Sequence, residues 1–368
     1  MVSDLLSSCD EEVIKFLPGW RWDQVTVTEN IVKAAAAAMS TDVMEMLLDR
    51  RGDQIIITKD IVKAAVKSLR TMMLLFERRG DEITITEDIV EAAAATGNED
   101  MMKLLLDQPG HEVFITEDIL KAAAAAMSTD VMEMLLDRWG DQIIITKNIV
   151  KAAVRSFRMM MLLLERRGDE ITITEDIVEA AAGNEDSWAS RRMVKLLLDR
   201  RGDEITITED ILKAAAGNQD SLAGTRIMEL LLDRRGDEIT ITEDILKTAA
   251  GNQDSWAGTR IMELLLDRRG DEITITEDIV KAAAGNQDSW AGMGMMVLLL
   301  DRRSDEITIT EDIVKAAVGN QDSLAGKRIM VILLDRRGDE ITITEDIINI
   351  AEAKNKGVME LLLSRRGN

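Results

Sequence analysis

Three patterns of apolar and polar residues follow one another along the chain and then start again. In the stretch beginning at Asp271, "DEITIT" alternates, which puts Ile273 and Ile275 on one side and Thr274 on the other, as in an extended segment. "EDIVKAAA" then has the three-to-four spacing of a short helix whose apolar face is mostly alanine. After Gly285-Asn286 and a polar stretch comes a second helical pattern, "MMVLLLDRR" here and "IMELLLDRR" at Ile261 to Arg269, with a bulkier apolar face. Helix A is predicted to start at Thr276 as N-cap, with Glu277 and Asp278 at the positive end of the dipole and Glu277 pairing with Lys281 one turn on. Gly285-Asn286 reads as a left-handed stop, and Gly270 as the residue that closes helix B behind Arg268 and Arg269.

Taking the residue after the "RRG" glycine as the start, units begin at Asp23, Asp53, Asp81, His111, Asp141, Asp169, Asp203, Asp237, Asp271, Asp305 and Asp339, eleven in all. The steps are 28 or 30 residues in the first half and 34 in the second. A larger copy overlies them: "AAAAAMSTDVMEMLLDR" at Ala34 returns 88 residues later at Ala122. Such periodicity is the signature of a solenoid, in which no unit buries its apolar face alone. A parallel sheet of the "ITIT" connectors is excluded by spacing, since strands pair at about 4.8 Å and stacked helices at about 8–10 Å. The predicted fold is all-α: an αα-solenoid with short extended connectors, curved so that the slim A helices line the inner face, and extending on the order of 100 Å.

The inward connector positions stay apolar (Val25 and Val27, Val113 and Ile115), while the outward one drifts between Thr84, Ile56 and Phe114. Residues 1–22, with Pro18, Trp20 and Trp22, read as an N-terminal cap and first helix; 23–338 as ten tandem repeats of 28–34 residues; 339–368 as a C-terminal capping repeat. In that last copy Glu352 stands where Ala284 stands in the Asp271 unit, as a layer meeting water requires. In the 28-residue units, "DIVKAAVKSLRTMMLLFERR" has no Gly or Pro between the helices; a tight turn near Ser68 is expected, against one unbroken helix.

Composition narrows the function. Aromatic residues make up only 3% of the chain, which suits a thin core of Leu, Ile, Met and Ala. The net charge of -23 is spread through every unit, which argues against nucleic acid and anionic membrane as partners and favours protein. One cysteine, Cys9, allows no internal disulfide, and "MVSDLLSSCDEEVIKF" has no signal-peptide character, so a soluble, cytoplasmic monomer is expected.

"IMELLLDRRGDEI" resembles the second helix and following turn of ankyrin repeats, and "TEDIVKAAA" occupies the place of their Thr-initiated first helix. The likeness is closest to a divergent fungal variety of near-identical copies, found in large proteins related to NLR-type and heterokaryon-incompatibility sensors. That resemblance implies arrays that sense ligands or partners, without catalytic residues. The chain lacks the ankyrin "TPLH" start, and Thr276 follows Gly270 by only six positions, which leaves no room for the long binding finger.

The residue inventory points away from catalysis. One histidine, His111, standing where the other units have Asp, and one cysteine cannot furnish a repeated nucleophile-base set, and "GNQDSLAGKR" has Gln321 where a phosphate loop needs its first Gly. No cofactor or metal is assigned. The stacked carboxylates Asp271, Glu272, Glu277 and Asp278 lack EF-hand spacing and lie beside Arg268 and Arg269, so they read as ion-paired ladders, with a Ca²⁺-stabilised or purely structural spacer as the alternative. The 22 methionines read as gap-filling core.

The strongest functional signal lies where near-identical copies disagree. The segment after helix A reads "DSWASRR", "DSLAGTR", "DSWAGTR", "DSWAGMG" and "DSLAGKR". Its bulky residues Trp188, Leu222, Trp256, Trp290 and Leu324, with Arg191, Arg226, Arg260, Met293 and Lys327, form the candidate partner-binding row. Two readings stay open: an apolar staple that ties each turn down, or a row of interface anchors. The function expected is a non-catalytic interaction solenoid, scaffold or sensor, that binds protein on the A-helix face and along these turns.

Overall fold

The computed structural model describes residues 27–38, 41–109, 113–184, 187–202 and 205–366. The predicted N-terminal cap, Cys9, Val25 and His111 lie outside them. Two compact units follow one another, Met1–Ile171 and Thr172–Asn368. Among the described residues there are twenty-two α-helices and no strand, arranged as helical hairpins in tandem: an all-α repeat solenoid.

In the first unit the A helices are Glu29–Ala37, Lys59–Ala65, Glu87–Ala94, Glu117–Ala125 and Lys147–Ala153. Their B partners are Thr41–Arg51, Leu69–Arg79, Glu99–Leu106, Thr129–Trp139 and Phe157–Arg167. In the second unit the A helices are Glu175–Ala182, Glu209–Ala216, Glu243–Gly251, Glu277–Ala284, Glu311–Val318 and Glu345–Lys354. Their partners are Ser187–Arg201, Ser221–Arg235, Ala257–Arg269, Ser289–Arg302, Ser323–Arg337 and Lys356–Arg366. Within each unit an A helix packs on its own B helix and on the A helices of adjoining layers, and B packs on B.

The core follows the apolar pattern. Ile279, Val280, Ala283 and Ala284 are buried on an A helix, Ile261, Met262, Leu265 and Leu266 on a B helix, and Ile273 and Ile275 close the end of the layer. Alanine is what lets the A helices approach one another; in the last layer, where the face is open, Glu352 is exposed. The outward connector residues Ile56, Phe114 and Ile144 are exposed, and Val113 and Ile115 are half-buried. Most methionines, among them Met262, Met295 and Met296, are core. The 28-residue unit turns at Ser68, whose hydroxyl accepts the Thr71 N–H at 3.2 Å and caps the B helix.

Several local expectations are corrected. Gly285 is no left-handed stop: it sits at φ -87°, ψ -1°, the same right-handed region that Ala95 and Ala126 occupy in their layers. Left-handed backbone occurs, among the described residues, at Gly97 (φ 69°) and Met127 (φ 57°). Gly270 closes helix B as expected, but with helical angles, and it opens a 3₁₀ turn, Gly270–Glu272, so the extended segment begins only at Ile273. Ser304 fills the equivalent place, so no special backbone freedom is needed there. The pair Glu277 and Lys281 does not form; Lys281 Nζ lies 2.9 Å from Asp278, because Glu277 accepts the Thr310 hydroxyl of the next layer. That hydroxyl bond recurs from Thr58 to Glu29 and from Thr276 to Glu243. Thr276 stands at the N-cap position without a side-chain cap bond.

Two ladders tie successive layers. In several layers the second arginine of "DRR" reaches back about one repeat: Arg269 donates to the carbonyls of Gly236 (2.8 Å) and Ile239 (3.1 Å), 33 and 30 residues earlier, and is held by Glu272 three residues on. The first arginine pairs with the aspartate one layer back, as Arg268 does with Asp233 at 2.9 Å. The other ladder is buried: Asn286 Nδ2 donates to the carbonyls of Ala250 (3.2 Å) and Asn252 (2.8 Å), and its Oδ1 accepts the Asp288 N–H (2.9 Å). Asn218, Asn252 and Asn320 make the same back-bond to the preceding asparagine.

Candidate interaction surface

In four of the 34-residue layers the B helix begins earlier than the apolar pattern suggests, so Trp188, Leu222, Trp290 and Leu324 occupy its first turn, whereas Trp256 stays in the inter-helix turn as the N-cap of Ala257–Arg269. Aspartate starts it: Asp288 accepts the N–H groups of Trp290 (3.0 Å) and Ala291 (2.7 Å), and Asp254 those of Trp256 (3.0 Å) and Ala257 (2.8 Å). The next turn presses on helix A, and a Cβ on Gly258 would lie 2.1 Å from the Ala249 carbonyl oxygen. Glycine is therefore dictated by close approach. In the Asp169 layer Ser190 takes that place, buried, with its hydroxyl unpartnered.

With Ala257 and Gly258 turned inward, the residue before them points to solvent. Trp188 is 65% exposed, Leu222 43%, Trp256 64%, Trp290 52% and Leu324 52%, far more than a buried staple permits. Arg191, Arg226 and Arg260 are exposed alongside, whereas Met293 and Lys327 are half-buried. The side chains of Arg191, Arg226 and Arg260 make no hydrogen bond, ion pair or ring contact, whereas Arg234 and Arg268, further along the helices of Arg226 and Arg260, pair with Asp199 and Asp233. Two further cations, absent from the predicted row, stack on it: Arg192 lies 4.0 Å over Trp188, and Arg328 lies 4.0 Å over Trp290 of the layer before. Their spacing, four residues after the bulky position, was the readable signal.

A second concavity lies on the A-helix side of the first unit. Lys33, Lys63 and Lys67 line a cavity of about 480 Å³ together with Asp60, Ala37, Ala64 and Thr96. Lys33 is held by Asp60 at 2.7 Å. Nearby, burial pushes the Asp88 carboxyl up, but hydrogen bonds from Lys59 and Thr86 and the charges of Lys59 and Lys63 outweigh it and hold it at about 2.

Of the stacked carboxylates, Glu272, Glu277 and Asp278 have partners. Hydrogen bonds from Arg269 hold Glu272 below the usual carboxylate range, and those from Arg79 do the same for Glu82. Among the described residues no group of three or more His, Cys, Asp or Glu is placed to hold a metal ion. No helix among them is long and apolar enough to cross a membrane.

This architecture defines a helical tandem-repeat protein whose layers are near copies joined by polar ladders. Eleven successive segments, residues 20–44, 46–68, 74–102, 104–132, 134–157, 162–187, 196–228, 230–262, 264–296, 298–330 and 332–359, match the family described as "Domain of unknown function (DUF7104)", and the chain belongs to that family. No curated protein matches the chain.

Proposed function

We propose that the chain is a non-catalytic protein-interaction array that binds partner proteins along the B-helix row of the second unit and on the A-helix face. The observation that carries this reading is the exposed row Trp188, Leu222, Trp256, Trp290 and Leu324, set beside the unpartnered side chains of Arg191, Arg226 and Arg260, while Arg234, Arg235, Arg268 and Arg269 are internally paired. Trp and Arg are the side chains that most often dominate interface energetics, and repetition in successive layers adds weak contacts through multivalency. The lysine-lined cavity supports the A-helix face as a second contact region. The likeness to ankyrin-type repeats of fungal NLR-like and heterokaryon-incompatibility proteins supports a scaffold or sensor role in the cytoplasm, as a monomer, with neither nucleic acid nor membrane as partner.

Selection of a displayed random-peptide library on the folded chain tests the row. Selected peptides are expected to bind the Trp256→Ala, Trp290→Ala double variant at least about tenfold more weakly, the size of a lost anchor pair. Equal binding by that variant refutes the row as the contact surface.

A further inference from the structure

The row is interrupted once, and the interruption makes a slot. Four residues after each bulky position the layers carry Arg192, Arg226, Arg260, Gly294 and Arg328. Arg328 covers the ring of Trp290 in the preceding layer and Arg192 covers Trp188 in its own, which leaves Trp256 as the tryptophan of the row with no arginine over it. At the same offset, the residue facing Trp256 is Gly294, which has no side chain to cover it.

The gap is open space. A Cβ at Gly294 would meet only Thr259, at 3.4 Å from its hydroxyl oxygen and 3.9 Å from its methyl, which is ordinary contact. That Thr259 hydroxyl is itself shielded from solvent and has no hydrogen-bond partner. So Trp256 is a largely exposed ring with a vacant place beside it and an unsatisfied polar atom in its wall.

Exposed cations lie around the slot, with Glu229 and Glu263 one turn further along the same helices. The side chains of Arg260 and Arg226 are exposed and unpartnered, and Lys327 and Arg328 follow in a later layer. The nearby acids Asp254 and Asp288 already accept backbone N–H groups. Exposed guanidiniums beside an apolar ring offer paired donors to the carboxylates of a peptide, and the oligouridylate control below tests phosphate as the alternative.

We infer that the slot between Trp256 and Gly294 seats an apolar side chain of an extended acidic peptide, whose carboxylates pair with Arg260 and Arg226. This inference rests on the reading of the row as a binding surface. Layers stacked about 8–10 Å apart and an extended chain rising about 3.3 Å per residue give roughly three peptide residues per layer. The matching motif is therefore an aromatic or aliphatic anchor with an acidic residue three positions away.

The probe is a labelled peptide with a central tryptophan and glutamates three residues to either side, titrated by fluorescence anisotropy into the full chain. Control peptides carry lysines in place of the glutamates, or the same glutamates moved next to the tryptophan; labelled oligouridylate is the polyanion control. Gly294→Arg installs the residue that four other layers already carry, so it fills the slot without challenging the fold. It is expected to weaken binding about tenfold or more with the thermal melt retained, and Arg226→Gln with Arg260→Gln to weaken it and flatten its salt dependence. Absence of binding by the glutamate peptide, equal binding by the lysine or shifted peptide, tighter binding of oligouridylate, or unchanged affinity in Gly294→Arg each overturns the inference. Loss of binding in Trp256→Ala with none in Gly294→Arg removes the slot and leaves the row. Library-selected peptides indifferent to the Trp256→Ala, Trp290→Ala double variant remove the row itself.

Discussion

Replacing Asn286 by alanine tests the claim that the layers of the second unit are held in register by a buried polar ladder. Asn286 is 4% exposed, and its side chain makes three hydrogen bonds, two to carbonyls of the preceding layer and one from the Asp288 N–H that shapes the start of the next B helix. Each such bond contributes about 0.5–1.5 kcal/mol net, and its buried partners stay unsatisfied when alanine replaces the amide. The expected loss is about 2–4 kcal/mol, concentrated at the junction of the Asp237 and Asp271 layers. Because a repeat array is coupled through nearest neighbours, that loss splits one cooperative urea transition into two, and speeds exchange of the Asp288 amide before that of core amides elsewhere. Asn349→Ala, at an exposed position, is the control. A cost below about 0.5 kcal/mol, or a cost no larger than that of Asn349→Ala, refutes the ladder as a structural element.

Three further outcomes follow from the geometry. Gly258→Ala drives a Cβ against the Ala249 carbonyl oxygen and is expected to cost about 1–3 kcal/mol by urea titration, whereas Gly236→Ala, with helical angles and nothing within 4 Å, is neutral or stabilising by up to about 1 kcal/mol; reversed signs refute the close-approach account. Asp88, ordinarily near 3.8, is depressed to about 2 in the folded state, so its contribution is present above pH about 4 and disappears as pH falls through about 2. The stability difference between wild type and Asp88→Asn should shrink across that window, and Lys59→Met should raise the Asp88 titration followed by NMR; a difference that stays constant down to pH about 2 contradicts the assignment. Calorimetric melting should be the same with Ca²⁺ and with chelator, since Glu272 is held by Arg269, Glu277 by Thr310 and Asp278 by Lys281; a rise with Ca²⁺ restores the metal-stabilised spacer.

The parts of the fold legible in the sequence were those fixed within one unit: the alternation at Ile273 and Ile275, the amphipathic faces of both helices, the turn at Ser68, and the exposed end marked by Glu352. What was not legible depends on partners about one repeat away. Asn286 read as a stop because a Gly-Asn pair resembles one, yet its side chain is spent on the layer before; the usable clue was that asparagine recurs at that place in each 34-residue layer from Asn184 to Asn320 and not in the shorter ones. Glu277 read as the partner of Lys281 because the spacing is right, and the hydroxyl of Thr310 outcompetes it across the layer. In the candidate surface, Trp188 through Leu324 were found from their variation. Gly294 was overlooked because its importance is the side chain it lacks, visible only once Arg328 shows where that side chain would go.

The backward reach of Arg269 and Asn286 implies that length itself is a free variable in this protein. Each layer of the 34-residue type presents to its successor the same carbonyls that it takes from its predecessor, so the segment Asp237 to Gly270 can be excised whole and Arg303 would find Gly236 where it now finds Gly270. A cut of any other size breaks both ladders at once. Gain and loss of function along such a chain therefore proceed by whole counts of anchors, and a single crossover between copies can move an open tryptophan without disturbing the packing beneath it.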